Sequence, residues 1–389
     1  MGFWSEFFSR FLRRPGGAFH GRMMSIDGAP VHFDRYDGRL YEAQLARAAI
    51  DAIARHVSKL EISIQGSAKP TLQTQLKNEP NPVLTWSQFM YRLATILYVE
   101  NNAIIVPLED EKGNVTGIYP LLPKRCEVAV YGNVPYLRYK VAGGTERAAI
   151  ELERVGIMTR FQYADELHGE SNRALAPTMD LIGMQNQGIK SGVENTANYK
   201  FMANLTNYTK DEDLAKERKR FTEMNLKKDS DATGILLFPN TFANAKQIEY
   251  KPFVADAETV KLINDSVNQY FGVNEKILKN QAVGDEWNAF YEGAIEPFAV
   301  QFSEVVTKML FTPRERAAGA SIMATSNRLQ YMSNKDKLEV TSQLVDRGIM
   351  SRNQALAVWN LPPVAGGDVL VIRGEYVNAN ERTTKDDEE

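Results

Sequence analysis

The sequence predicts an α+β chain in which a helix-and-sheet unit and long helices are joined through a small insertion. Three observations carry this reading. Apolar residues recur at helical spacing over 41–60 and again over 256–310. Short β-rich stretches punctuated by turn residues fill 103–141. A long, sparsely charged helical run over 173–200 resembles neither.

At the start, Phe3, Phe7 and Phe11 alternate with Arg10, Arg13 and Arg14 as an amphipathic arm. It lacks the uninterrupted apolar core of a secretory signal, and Glu6 breaks the myristoylation pattern despite Gly2. An arm that docks on a neighbouring subunit or frays outweighs a membrane-surface helix. Tyr41, Leu45, Ala49, Ile53, Val57 and Leu60 then line one face of a helix, and 61–65 alternates like a strand. Prolines at 80 and 82 mark a turn, after which Thr85 caps a helix carrying Trp86, Phe89, Leu93, Ile96 and Leu97. Strands are expected over 103–108, 115–119, 127–131 and 136–141, with turns at 112–114, at Asn133 and at Gly143-Gly144. Everything before about residue 170 reads as one α+β unit.

The run 173–200 contains Gly183, Gly188 and Gly192 with Asn186, Asn195 and Asn198. As a helix it reaches roughly 40 Å and has no clear core face. A lone subunit has little to bury it against; side-by-side packing in a ring accounts for its glycines. Strands are expected over 201–209, 233–238 and 246–251, with a charged helix over 211–225 between the first two. Its Lys216, Arg218, Lys219 and Arg220 are interleaved with Asp211, Glu212, Asp213 and Glu217, and a solvated face outweighs a DNA contact.

Asp256 caps the next helix, which carries Val260, Ile263, Val267, Tyr270 and Phe271 and stops at Gly272. A loop over 274–286 bears Lys276, Lys279, Gln281, Asp285 and Glu286, with no apparent core for them to enter. Trp287, Tyr291, Ala294, Phe298, Phe302, Val305 and Met309 form a second helical stripe. Its middle holds Gly293 and Pro297, and the proline predicts a kink. A helix over 335–346 ends at Gly348, Ser351 caps another through Trp359, and Leu361-Pro362-Pro363 stops it. A last strand is expected over 369–372, followed by a polar, acidic, disordered end over 378–389.

Composition narrows function. The 389 residues are 43% hydrophobic and 24% charged, with a net charge of −3. No global basic field advertises tight nucleic-acid binding, though DNA can pass through such a protein without being gripped. The single Cys126 excludes intrachain disulfides and thiolate clusters. No apolar run approaches the roughly 18 residues of a membrane span, no phosphate-cradling Gly-rich Lys loop occurs, and His20, His32, His56 and His168 lack ligand spacing. His56 reads as an ordinary partly buried histidine. No catalytic constellation, metal site or cofactor is expected.

One ordered series of motifs points further. Phe271-Gly272-Val273, then a loop, then an aromatic helix broken at Glu296-Pro297 resembles the core of the tailed-phage portal proteins, the head–tail connectors. Asn274 and Glu275 stand where that family usually has proline. Two further stretches agree with the family: Leu97 to Pro123, containing Asn101-Asn102 and Tyr119-Pro120-Leu121-Leu122-Pro123, and Gly348 through Leu361-Pro362-Pro363 to Gly366-Gly367-Asp368. The resemblance implies a compact, long-tailed-phage type. Its parts are an arm over 1–39, a wing over 40–172, a first stem helix over 173–200, a strand–helix–strand clip over 201–254 and a second stem helix over 255–272. A tunnel loop over 273–287, a kinked wing helix over 288–312, a C-terminal wing and small crown over 313–377, and a tail over 378–389 complete it. It places Lys276, Lys279, Gln281, Asp285 and Glu286 on the tunnel loop facing DNA, and Lys190, Glu194, Glu258, Lys261 and Asp265 on the stem. Gly293 and Pro297 fall at the kink, and Lys216, Arg218, Lys219 and Arg220 on the clip for docking.

The function so implied is a homo-oligomeric ring, a dodecamer, at the unique capsid vertex of the virion, assembled in the cytoplasm of the infected bacterium. It would pass double-stranded DNA without reading its sequence during packaging and ejection. Partners would be the terminase large subunit, the major capsid protein and a head–tail adaptor; no membrane is expected. The alternative is a DNA-processing enzyme, a metal-dependent nuclease or a motor-associated ATPase partner, using dispersed carboxylates and Mg²⁺.

Overall fold

The computed structural model describes residues 39–373 except 67–68, 70, 111, 141–146, 197–199, 249–256, 327–333 and 360; within 206–241 it describes only Glu212, Ala215, Lys216, Lys219 and Arg220. Two compact units emerge, one of residues 1–174 and 267–389 and one of 175–266.

In the first unit the helical run expected from Tyr41 is broken at Ala43, whose backbone is extended, into α1 (Arg39–Glu42) and α2 (Gln44–Val57). Arg47 donates to the Tyr41 carbonyl at 2.7 Å and stacks its guanidinium on the Tyr41 ring, so the break is bridged. Strand β1 (Glu61–Gln65) and a short helix α3 (Leu72–Asn78) follow. Helix α4 (Trp86–Glu100) starts at a capping box in which Thr85 and Gln88 satisfy each other's backbone amides. It buries Trp86, Phe89, Leu93, Ile96 and Leu97, as its spacing predicts, and Met90 besides. It ends at Asn101, whose left-handed backbone (φ 53°) turns the chain straight into β2 (Asn102–Glu109).

Strand β2 is buried on both faces and is the central strand of a three-stranded antiparallel sheet, between β3 (Val115–Leu121) and β7 (Gly156–Thr159). A second sheet runs in the order β4 (Cys126–Tyr131), β5 (Val134–Lys140), β6 (Arg147–Glu151). Ile104, Val106 and Leu108 of β2 join Val128 and Leu137 of the second sheet in one core cluster. Strands β6 and β7 were not foreseen in the sequence.

The second unit contains helix α5 (Ala176–Thr196), strands β8 (Lys200–Leu205) and β9 (Phe242–Ile248) paired antiparallel, and the first part of α6 (Ala257–Phe271). Strand β9 starts earlier than the expected 246–251. The strand expected over 233–238, the Asp256 cap and most of the helix over 211–225 lie outside the described residues.

Beyond α6 the first unit resumes with α7 (Glu275–Leu278), α8 (Asp285–Phe290), a π-helical turn (Tyr291–Ile295) and α9 (Glu296–Leu310). Helix α10 (Pro313–Ala317) follows, opened by a Thr312–Glu315 capping box. Strand β10 (Ser321–Thr325) pairs antiparallel with β1 in register Glu61 to Thr325. Phe298 and Phe302 of α9 pack on one another, and Phe302 meets Trp86 and Phe89 of α4 edge-on at 6.0 and 6.4 Å. Helices α11 (Asn334–Asp346) and α12 (Arg352–Val358) are the last among the described residues, the latter with the expected Ser351 cap. Residues 369–372 do not form the expected strand: their one sheet contact is an isolated bridge from Ile372 to Arg347. Among the described residues no helix is long and apolar enough to cross a membrane.

Candidate channel loop and its supports

The segment after α6 carries more structure than its polar composition suggests. Asn274 caps α7 by accepting the Ile277 amide at 2.9 Å. Ile277 and Val273 are buried, so two apolar side chains anchor a stretch for which the sequence offered no core. Helix α8 begins at Asp285 rather than at Trp287, which puts Asp285 and Glu286 in its first turn, where carboxylates complement the helix dipole. Gln281 donates its amide to the Lys276 carbonyl, and Asn280 and Gly284 take left-handed backbones to close the turn. The charges are paired within the loop: Lys276 with Glu286, and Lys279 with Glu275 at 2.6 Å. The exposed geometry makes each pair weak and salt-screened.

Beneath this loop lies an aromatic wedge. Trp287 stacks on Tyr291, and the His56 ring of α2 meets Trp287 and Phe290 edge-on at 6.1 and 5.4 Å. Burial, with help from Lys59 and Arg55, pushes the His56 pKa down to about 4, so the imidazole is neutral near pH 7. The histidine therefore acts as part of the packing.

Gly293 lies in the π turn and Pro297 in the first turn of α9. The proline lacks the amide that would bond the Gly293 carbonyl, and the wider π turn absorbs that defect. Tyr98, at the end of α4, donates its hydroxyl to the adjacent Ala294 carbonyl at 3.3 Å.

A polar knot that sequence reasoning missed fixes the corner between α4 and β2. The Asn101 carboxamide donates to the Glu170 carbonyl at 2.7 Å and to Asn172 Oδ1 at 2.8 Å. The Asn172 amide donates to the Val99 carbonyl at 2.8 Å, and Asn102 Oδ1 accepts the Gly169 amide at 2.8 Å. The Arg160 guanidinium is sandwiched 4.0 Å from the Tyr98 ring centroid and 4.7 Å from that of Phe161. Its burial is eased by cation–π attraction. The one signal available was the Asn101-Asn102 pair directly after a helical stripe.

The remaining expected positions fall in the second unit. Lys190, Glu258 and Lys261 are exposed and Asp265 is half-buried; Glu194 lies in α5 with its side chain outside the described residues. Lys216, Lys219 and Arg220 are helical and exposed, and Arg218 lies outside the described residues. In α5 the exposed side chains include Leu181, Met184 and Ile189, and Gly183 faces open space. Among the described residues no cluster of three metal-ligating side chains occurs.

Comparison with known proteins gives a consistent outcome. No curated protein matches the sequence. A subunit in the neck of a native gene transfer agent particle, computed with C12 symmetry, is 16% identical at TM-score 0.57, covering 87% of this chain and 96% of that one. The neck of an empty particle, computed with C6 symmetry, aligns over the same shares at 16% identity and TM-score 0.59. An HK97-family phage portal protein from Corynebacterium diphtheriae is 11% identical at TM-score 0.49, over 76% of this chain and 96% of that one. The likeness to the two necks gives the fold. The family model described as phage portal protein matches residues 45–360, most of the chain, and the protein belongs to the phage portal protein family.

Proposed function

We propose that copies of this chain close into a ring at one vertex of a phage-type capsid and form the channel through which a separate motor drives double-stranded DNA. The family match over residues 45–360 carries this reading and favours it over the nuclease or ATPase-partner alternative. The twelvefold and sixfold symmetries of the similar necks support a ring, with twelve copies as the expected number. The apolar side chains exposed along α5 supply a physical reason, since a helix with Leu181, Met184 and Ile189 in water gains by packing beside its neighbour's copy. A heterologous interface of this kind closes into a ring when its rotation permits.

The loop over 273–287 is the candidate tunnel loop, α5 and α6 the candidate stem, and 201–254 the candidate clip. The clip would dock the terminase large subunit and later a head–tail adaptor, with Lys216, Arg218, Lys219 and Arg220 as its candidate contacts, and the outer face would meet the major capsid protein. In the loop Lys276 and Lys279 already have carboxylate partners, so a passing phosphate must compete for them. Each contact is then brief and salt-sensitive, which steadies a duplex without holding it. Class-averaged electron micrographs with mass measurement test the reading: rings with a central channel are expected. A stable 43.8 kDa monomer at capsid-like ionic strength would overturn it.

A further inference from the structure

We infer that the Arg160 guanidinium is a binding site for a small phosphate-type oxyanion, taken side-on by its Nε and Nη2 edge. The inference is independent of the ring reading and concerns only the corner where α4, β7 and the end of α6 meet. Arg160 follows β7 directly, and its backbone is held on both sides. Its amide donates to the Asn101 carbonyl at 2.9 Å, and its own carbonyl lies so close to Gly169 that no Cβ fits there. Phe161 comes next with a left-handed backbone (φ 53°), and its carbonyl accepts the Glu170 amide at 3.0 Å. An aromatic residue keeps that conformation only where its surroundings over-determine it. The outcome is a Phe161 ring set over the guanidinium, with the Tyr270 ring 5.3 Å beyond it.

These contacts leave one edge of Arg160 open. The Tyr98 and Phe161 rings cover the guanidinium, and Nη1 reaches Asn101 Oδ1 at 3.5 Å. Among the described residues nothing accepts from Nε or Nη2, and neither nitrogen is sealed from water. No Asp or Glu among them pairs with Arg160; the ionisable groups that act on it are Tyr98 and Tyr270. Burial raises the pKa of both phenols, so neither supplies a countercharge near pH 7. Their hydroxyls donate elsewhere, to the Ala294 carbonyl and to Asn172 Oδ1. A guanidinium this far removed from water normally has an anionic partner. Its Nε and Nη2 hydrogens lie parallel in one plane and match two oxygens of a carboxylate or phosphate.

Two considerations select the ligand. No lysine or second arginine acts on Arg160, whereas a nucleic-acid track needs a row of cations along the backbone. An isolated charge suits a single small anion. Of the two anions that fit the fork, a phosphate dianion gains more than a monovalent carboxylate from a partly desolvated cation.

Equilibrium dialysis of the full-length protein against radiolabelled inorganic phosphate, at fixed ionic strength, tests the site. About one phosphate per chain is expected, half-saturating on the order of 1 mM. Arg160→Lys keeps the charge but loses the fork, and binding is expected to weaken about tenfold. Arg160→Gln is expected to abolish binding with helix content unchanged; if that variant fails to fold, the lysine variant decides. Binding that is equal in wild type and Arg160→Lys overturns the inference, as does wild-type protein with no saturable phosphate uptake. Acetate that displaces phosphate at equal concentration assigns the edge to carboxylates. A short DNA duplex that displaces it at equal phosphate concentration assigns the edge to nucleic acid. Uptake by the monomer that vanishes in the ring assigns it to a neighbouring subunit. Each of these three outcomes also overturns the inference. Phosphate held at Arg160 in a protein that forms no ring upholds it while removing the ring reading.

Discussion

Asn172 Oδ1 accepts the Tyr270 hydroxyl at 2.6 Å while also accepting the Asn101 amide. Asn172 stands just before the chain leaves the first unit, and Tyr270 just after it returns, so one carboxamide ties exit to re-entry. Removing the hydroxyl in Tyr270→Phe deletes one of two donors to that oxygen, and a loss of about 1 kcal/mol is expected. Asn172→Leu strips partners from Asn101, Val99 and Tyr270 together and is expected to cost roughly 3 kcal/mol. Urea unfolding of monomeric protein reads both; equal losses in the two variants would contradict the shared-acceptor arrangement.

Two glycines separate a packed backbone from an open one. A Cβ at Gly169 would sit 1.9 Å from the Arg160 carbonyl oxygen and 2.7 Å from that of Asn101. Gly169→Ala must displace backbone and is expected to destabilise by about 3 kcal/mol or to prevent soluble expression. Gly183→Ala on α5 meets nothing within 4 Å and is expected to stabilise the isolated chain by up to about 1 kcal/mol through helix propensity. If neighbouring stems pack closely at that glycine, the same change weakens ring assembly, which ring yield measures.

His56 supplies a pH dependence. Its pKa is lowered to about 4 in the folded chain, against 6.5 for an unperturbed imidazole, so the unfolded chain takes the proton first. The stabilisation from neutral His56 is complete above about pH 6.5 and is lost as pH falls towards about 4. Allowing for partial exposure, about 2 kcal/mol is expected over that interval. His56→Gln should flatten this part of the stability profile, and an unchanged slope in the variant would remove His56 as its source.

The loop pairs give opposite expectations for acids and bases. Lys276→Ala with Lys279→Ala leaves Glu286 and Glu275 without their ammonium partners, and impaired DNA packaging or retention with intact rings is expected. Glu275→Gln with Glu286→Gln releases both lysines to phosphate, so DNA retention should rise and fall more steeply with added salt. Ring loss in either variant would show that the pairs hold the loop's shape.

Much of the fold was legible because its signals are local. Thr85 with Gln88 and Ser351 with Gln354 are caps that need only three residues of chain. The α4 stripe of Phe89, Leu93 and Leu97 needs only helical periodicity. The Thr312–Glu315 box before α10 was equally local and was overlooked. The candidate site was legible as composition alone: its lysines and carboxylates could be counted, while their pairing required the turn through Asn280 and Gly284 to bring Lys276 to Glu286.

The sequence by itself determined the longer helices, most of the sheet strands and the ordered motifs that mark the family, because periodicity, caps and turn residues act between near neighbours; the short helices α3, α7 and α10 went unforeseen. Tertiary structure alone decided that Glu61 would face Thr325 from far along the chain, that residues 369–372 would not form a strand, and that Asn172 would meet Tyr270. Such contacts depend on where distant segments return. No local preference encodes that, since strand edges and carboxamides accept many partners until packing leaves one within reach.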